Sequence, residues 1–171
     1  MDTDAIKRTS RGRGAVGIAP LPFRVLVRTL PPPAKVLDFG CGRYAAQVAQ
    51  LREMGYDAVG CDLWHPGSER HIIPGAYDAV LLSNVLNVQP NPPTLKLVID
   101  QAASCVRPGG LLLCNYPEDP RKTTTSKGWV ASSWLVKSLL AEAFGHSRVL
   151  CVGGRKSPVW VCTQGGPKGL V

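Results

Sequence analysis

VLDFGCGRYAAQVAQLREMGYDAVGCDL, residues 36–63, reads as a buried strand, a glycine turn, a helix, a second strand and an acidic residue. Gly40 and Gly42 break the first strand and let the backbone come close to a ligand where a side chain would block it. The helix that follows offers its unpaired N-terminal N–H groups at that same place. Asp62 closes the second strand about 20 residues beyond the glycines, where a carboxylate can accept hydrogen bonds from ribose hydroxyls. The segment therefore predicts a nucleotide-bearing cofactor held at the carboxyl ends of two parallel strands.

Two cofactor classes use such a turn. A dinucleotide fingerprint, G-x-G-x-x-G, would place a third glycine at position 45, where this chain has Ala45. Alanine is tolerated there, so Asp38 discriminates better. An acidic residue just before the turn repels a pyrophosphate but suits the cationic amine of S-adenosylmethionine.

In sequence, V-L-D-F-G-C-G-R resembles the first motif of class I methyltransferases, and C-D-L resembles the acidic motif after their second strand. YDAVLLSNVLN is similar to the family's fourth-strand segment, and VRPGGLLLCNYP to the turn and strand that carry its fifth. The four occur in order, and the likeness covers roughly residues 34–164. The resemblance implies S-adenosylmethionine as cofactor and S-adenosylhomocysteine as product. It implies that Asp38 holds the methionine amine, that Gly40, Cys41 and Gly42 form the bed for methionine and ribose, and that Asp62 binds the ribose hydroxyls. Leu63 would pack on the adenine, and Ser83 would border the cofactor. Two departures stand out. Tyr44 replaces a glycine found in many members, and the link from Asp62 to Tyr77 is short, leaving His71 or Ile72 near the adenine.

Outward from this segment, Leu21–Leu30 predicts a short helix closed by Pro31–Pro33. Lys35–Asp38, Ala58–Leu63, Tyr77–Ser83 and Leu111–Asn115 predict strands, with His71–Ile73 available for one more. Apolar residues at 45, 48, 51 and 54 mark one face of the helix after the glycines, and those at 95, 98, 99, 102 and 106 a helix over Pro93–Val106. A last helix is expected near Trp129–Phe144, and Val149–Val152 with Val159–Thr163 predict a terminal hairpin. The fold class is α/β: a doubly wound, mostly parallel, seven-stranded Rossmann-like sheet with one antiparallel edge hairpin and helices on both faces. Residues 1–19 are expected as a flexible basic arm, 20–165 as the methyltransferase domain and 166–171 as a tail.

With 171 residues and 44% hydrophobic content, the chain fits one domain with one sizeable core. No apolar run reaches the roughly 18 residues needed to cross a bilayer, and no membrane partner is expected. MDTDAIKRTSRGRG lacks the apolar stretch of a secretory signal, so a cytoplasmic location is expected. The six cysteines form no C-x-x-C and pair with no histidine, which argues for reduced structural thiols and no metal site.

The acceptor side is less defined. Asn84 and Asn87 follow the fourth-strand segment, and Asn115, Tyr116 and Asp119 follow the fifth. Asn84 or Asn87 would orient an acceptor by hydrogen bonds and Tyr116 would stack on one, since methyl transfer is accelerated largely by positioning. Helix capping or a turn is the competing role for the two asparagines. Asn91-Pro92-Pro93-Thr94 mimics an amino-methylating DNA motif, but it lies several residues late and lacks the aromatic; it reads better as a helix start.

A net charge of +8, the basic residues Lys7, Arg8, Arg11 and Arg13, and the loop residues Arg121, Lys122 and Lys127 tilt the expected acceptor toward nucleic acid. VLDFGCG with SNVLNV also resembles small methyltransferase-like proteins of bacteria and phages, some associated with DNA modification. A small-molecule acceptor remains the alternative. A catalytically inactive, cofactor-binding regulatory or assembly subunit is another. A homodimer or a partner subunit would supply the recognition surface that so short a chain lacks.

Overall fold

The structure, a computed structural model, describes residues 19–116, 124–125, 128–153 and 158–165. Helix α1 (Leu21–Thr29) leads into β1 (Lys35–Phe39), and α2 (Ala46–Glu53) connects it to β2 (Asp57–Cys61). Next come β3 (Tyr77–Leu82), α3 (Pro92–Cys105) and the long β4 (Val106–Asn115). Two short strands, β5 (Thr124–Thr125) and β6 (Gly128–Trp129), precede α4 (Ser133–Phe144). The chain ends on β7 (Val149–Val152) and β8 (Val159–Thr163).

The main sheet has the order β2-β1-β3-β4-β8-β7. β1 pairs in parallel with β2 and β3, and β3 in parallel with β4. β8 runs antiparallel between β4 and β7, which is the expected terminal hairpin. The β1–β3 crossover reverses the winding, so the carboxyl ends of β1 and β3 open the crevice where open α/β sheets bind ligands.

The main sheet thus has six strands in place of the seven expected. Ser68–His71 forms a 3-10 turn where the extra strand was anticipated at His71–Ile73. Pro66, Gly67, Pro74 and Gly75 bracket that segment, and Pro removes ladder donors while Gly weakens strands. β2 is consequently an edge strand, and Arg52 Nε donates to its Ala58 carbonyl at 2.7 Å. The small β5–β6 hairpin was not anticipated.

The sheet buries both faces. Leu37, Val80, Leu82 and Leu112 pack with α3 and α4, while Val36, Ala79, Leu81 and Leu113 pack with α1 and α2. Truncating such a leucine to alanine costs about 2–5 kcal/mol. α2 buries Gln47, Val48 and Leu51, so the face inferred from positions 45, 48, 51 and 54 is only partly right. Ala45 sits ahead of the helix in the left-handed region and Met54 is exposed at its end. α3 shows why the Asn-Pro-Pro-Thr stretch is a helix start. Asn91 caps it, its Oδ1 accepting from Thr94 N at 2.9 Å and from Thr94 Oγ1 at 2.8 Å, with the prolines in the first turn.

Candidate active site

β1 delivers Asp38 to the carboxyl edge on the strand that both neighbours cover, so its side chain is wholly buried. Neither carboxylate oxygen has a hydrogen-bond partner among the described residues. Burial, with the nearby Asp62 charge adding to it, pushes its pKa up from 3.8 to about 7. An unpaired buried carboxyl is costly to hold, and its place at the strand end is where a ligand cation would relieve it.

The turn after β1 is built by left-handed residues: Gly40 at φ 83°, Gly42 at φ 72° and Ala45 at φ 46°. A Cβ on Gly40 would lie 2.4 Å from Val85 Cγ2, so the turn and the loop after β3 come into contact only because no side chain intervenes. Gly40 N and Cys41 N both donate to Cys61 O, at 2.7 and 3.3 Å, tying the turn to the end of β2. Cys41 is buried, and burial first, then the charges of Asp38 and Asp62, push its thiol up to about 12. It lines the turn as a neutral thiol.

Asp62 reaches across from β2. Its Oδ2 accepts from Gly42 N at 2.8 Å and its Oδ1 from Trp64 N at 3.0 Å. Each carboxylate oxygen keeps a further lone pair for a ligand hydroxyl. Leu63 is half-buried beside it. His65 Nε2 lies 3.0 Å from Gly42 O, and Arg43 stands over the Trp64 ring at 6.0 Å, so the segment after β2 closes on the glycine turn at three points.

Ser83, buried at the end of β3, donates to Gln47 Oε1 of α2 at 3.1 Å. Gln47 was missed from the sequence. Its signal was a polar side chain in the first turn of α2 on a face that otherwise packs inward. His65 was missed as well, and its spacing from Asp62 was the available clue.

Asn84 is exposed, at φ 59°, and paired with Asn115 of β4. Asn87 is exposed on the turn Leu86–Val88. Tyr116 requires a correction. Its ring is 1% exposed, its hydroxyl donates to Ala131 O at 2.5 Å and its carbonyl accepts from Trp160 Nε1 at 3.2 Å. A ring enclosed on all sides offers no face to stack on an acceptor, so Tyr116 pins the start of α4 to β4. Burial pushes its hydroxyl up to about 12. The backbone carbonyl of His71 accepts from Tyr77 Oη at 2.7 Å.

Asp38, Cys41, Gly42 and Asp62 therefore gather at the turn after β1, and Ser83, at the end of β3, is joined to α2. Asp119, Arg121, Lys122, Lys127 and the arm residues Lys7, Arg8, Arg11 and Arg13 lie outside the described residues, as does the tail from position 166.

A family model described as a methyltransferase domain matches residues 18–150. Solved structures share the fold at low identity. An O-methyltransferase family protein from Burkholderia thailandensis is 18% identical with a TM-score of 0.60, over 97% of this chain and 59% of that one. This chain thus spans less than two thirds of that relative. A didemethyltoxoflavin N1-methyltransferase from the same organism, bound to its namesake compound and S-adenosylhomocysteine, is 17% identical with a TM-score of 0.64, over 96% and 80%. A TehB-like methyltransferase from Corynebacterium glutamicum is 16% identical with a TM-score of 0.58, over 95% and 97%. No curated protein sequence matches this chain.

Proposed function

The chain belongs to the class I methyltransferase family, and from that premise we propose that it binds S-adenosylmethionine and methylates a small molecule. The observation that carries the cofactor is Asp38. A buried carboxyl with both oxygens unpaired among the described residues, at the mouth of a glycine turn, fits the cationic amine of this cofactor and would repel a pyrophosphate. Asp62 fits the ribose hydroxyls, and the Gly40–Gly42 backbone fits close approach of the methionine portion. When bound, S-adenosylmethionine supplies a methyl group on a cationic sulfur.

The chain's own part is to hold and exclude. Asp38 fixes one end of the cofactor and Asp62 the other, while Leu63 covers apolar surface between the turn and the base. The Ser83–Gln47 pair closes the wall between β3 and α2. Positioning of this kind provides most of what an in-line displacement requires.

For the acceptor, two things favour a small molecule. The described carboxyl edge of β3 and β4 presents neutral amides at Asn84, Asn87 and Asn115. The didemethyltoxoflavin N1-methyltransferase, similar in fold, is also bound to a small molecule, 1,6-didemethyltoxoflavin. Nucleic acid is the second reading, favoured by the +8 charge, half of whose Lys and Arg residues lie outside the described part. Among the described residues no helix is long and apolar enough to cross a membrane.

The test is transfer of labelled methyl from S-adenosylmethionine into DNA, RNA and a low-molecular-mass extract in parallel. Label in the small-molecule fraction, lost in Asp62→Ala, is expected. Label in a polymer overturns the acceptor reading alone. Cofactor binding with no transfer anywhere favours a binding-only subunit, and no cofactor binding overturns the whole proposal.

A further inference from the structure

Asn84 and Asn115 stand at the carboxyl ends of neighbouring strands, one residue beyond β3 and at the last residue of β4. The backbone N–H of Asn84 donates to Asn115 Oδ1 at 2.7 Å, and Asn115 Nδ2 donates to Asn84 Oδ1 at 2.6 Å. These two bonds leave no freedom in how the amides face. A backbone N–H can only donate, so it selects the oxygen of Asn115. The nitrogen of Asn115 then faces the Asn84 side chain, which must answer with its own oxygen. Asn84 Nδ2 is left over, two N–H donors on an exposed residue with no partner among the described residues.

Asn84 lies in the left-handed region at φ 59°, which asparagine adopts more readily than most non-glycine residues. Its neighbour Ser83 is part of the cofactor wall through Gln47, so the outward amide is one residue from the crevice.

We infer that the Asn84–Asn115 pair is the acceptor-recognition element of this site and presents paired N–H donors to a neutral acceptor. That acceptor carries a carbonyl or an unprotonated ring nitrogen beside the atom that takes the methyl. Asn84 makes the contact, and Asn115 is a positioning residue that fixes which end of the Asn84 amide faces out. An exocyclic amine is disfavoured at this position, because it needs an oxygen facing it and the pair turns that oxygen inward. The inference rests on the methyltransferase reading of the crevice.

The pair makes its own test possible. In Asn115→Asp one oxygen still accepts from the Asn84 N–H, and the other can only accept. The Asn84 amide must therefore turn over and show its oxygen. The experiment follows the Asn84 side-chain amide by isotope-edited NMR in protein saturated with S-adenosylhomocysteine. N-methylpyridone, which only accepts, and indole, which only donates, are the probes. In the unaltered chain pyridone shifts the Asn84 amide and indole does not; in Asn115→Asp the preference reverses. Asn84→Gly, which suits the left-handed backbone and lacks the amide, removes pyridone binding and keeps S-adenosylhomocysteine affinity. Equal response to both probes, or no pyridone response in the unaltered chain, overturns the inference even if Asn115→Asp fails to fold. Failure of S-adenosylhomocysteine to bind overturns the methyltransferase reading instead.

Discussion

Two aspartates on adjacent strands, Asp38 of β1 and Asp78 of β3, sit in opposite circumstances. Asp78 lies at the amino end of the strands. Its Oδ2 accepts from Lys35 N at 2.6 Å and its Oδ1 from Arg107 Nε at 2.5 Å, which joins the starts of β1, β3 and β4. The Lys35 N–H bond above all, with Arg107 assisting, holds its carboxyl below the usual value of 3.8. Asp38, at the carboxyl end, has no donor among the described residues and is raised to about 7. One end of the sheet uses its carboxylate to hold strands together. The other keeps a carboxylate that no described residue satisfies, as expected where a ligand completes the structure.

The linkage signs are opposite. Asp78, depressed, contributes stability that is present above the ordinary carboxylate value and is lost as pH falls through its lower folded pKa. Asp38, raised, contributes stability in its protonated form. That contribution falls away as pH rises from about 4 to about 7. The ligand-free protein is therefore disfavoured by an ionised Asp38 near neutral pH, and on the proposed reading the cofactor amine offsets it.

The sharpest way to break the contrast is Asp38→Asn, expected to weaken S-adenosylmethionine binding by about 100-fold or more, since it removes a buried charge pairing. In the ligand-free protein the same change raises the melting temperature at pH about 8, where the carboxyl is otherwise ionised. A lowered melting temperature there would contradict the assignment. Asp62→Ala is expected next, with tens-fold weaker binding by calorimetry, because it also frees Gly42 N and loosens the turn. Asp78→Ala should cost about 1–3 kcal/mol in denaturant unfolding, since charged hydrogen bonds are lost, with cofactor affinity unchanged. Altered affinity there would mean that the two ends of the sheet are not independent. Smallest is Tyr116→Phe, expected to lose about 1 kcal/mol of stability with the acceptor KM intact, whereas a raised KM would restore Tyr116 to the site.

Legibility from sequence divides along the same line. The Asp38–Gly40–Gly42–Asp62 constellation was readable because backbone geometry forces its residue types at fixed spacing, and all four converge on one turn. The hairpin β7–β8 and helix α1 were readable from period and punctuation. The extra strand at His71–Ile73 was not, because three apolar or aromatic residues between Pro–Gly breakers satisfy strand and 3-10 turn equally. Tyr116 was misassigned since its position after a strand end said nothing of the Trp160 and Ala131 contacts, which come from elements far along the chain. The Asn84–Asn115 pair joins residues 31 apart, and only the parallel β3–β4 register brings them together.

The most direct test of the central claim is proton release on binding S-adenosylhomocysteine, measured calorimetrically at pH about 6 in buffers of differing ionisation enthalpy. If Asp38 is the carboxyl that receives the cofactor amine, binding expels about one proton per site, since a group of pKa about 7 is mostly protonated beforehand. Asp38→Asn then shows weakened binding and no such release. Tight binding with no proton released, or the same release in Asp38→Asn, would contradict the account.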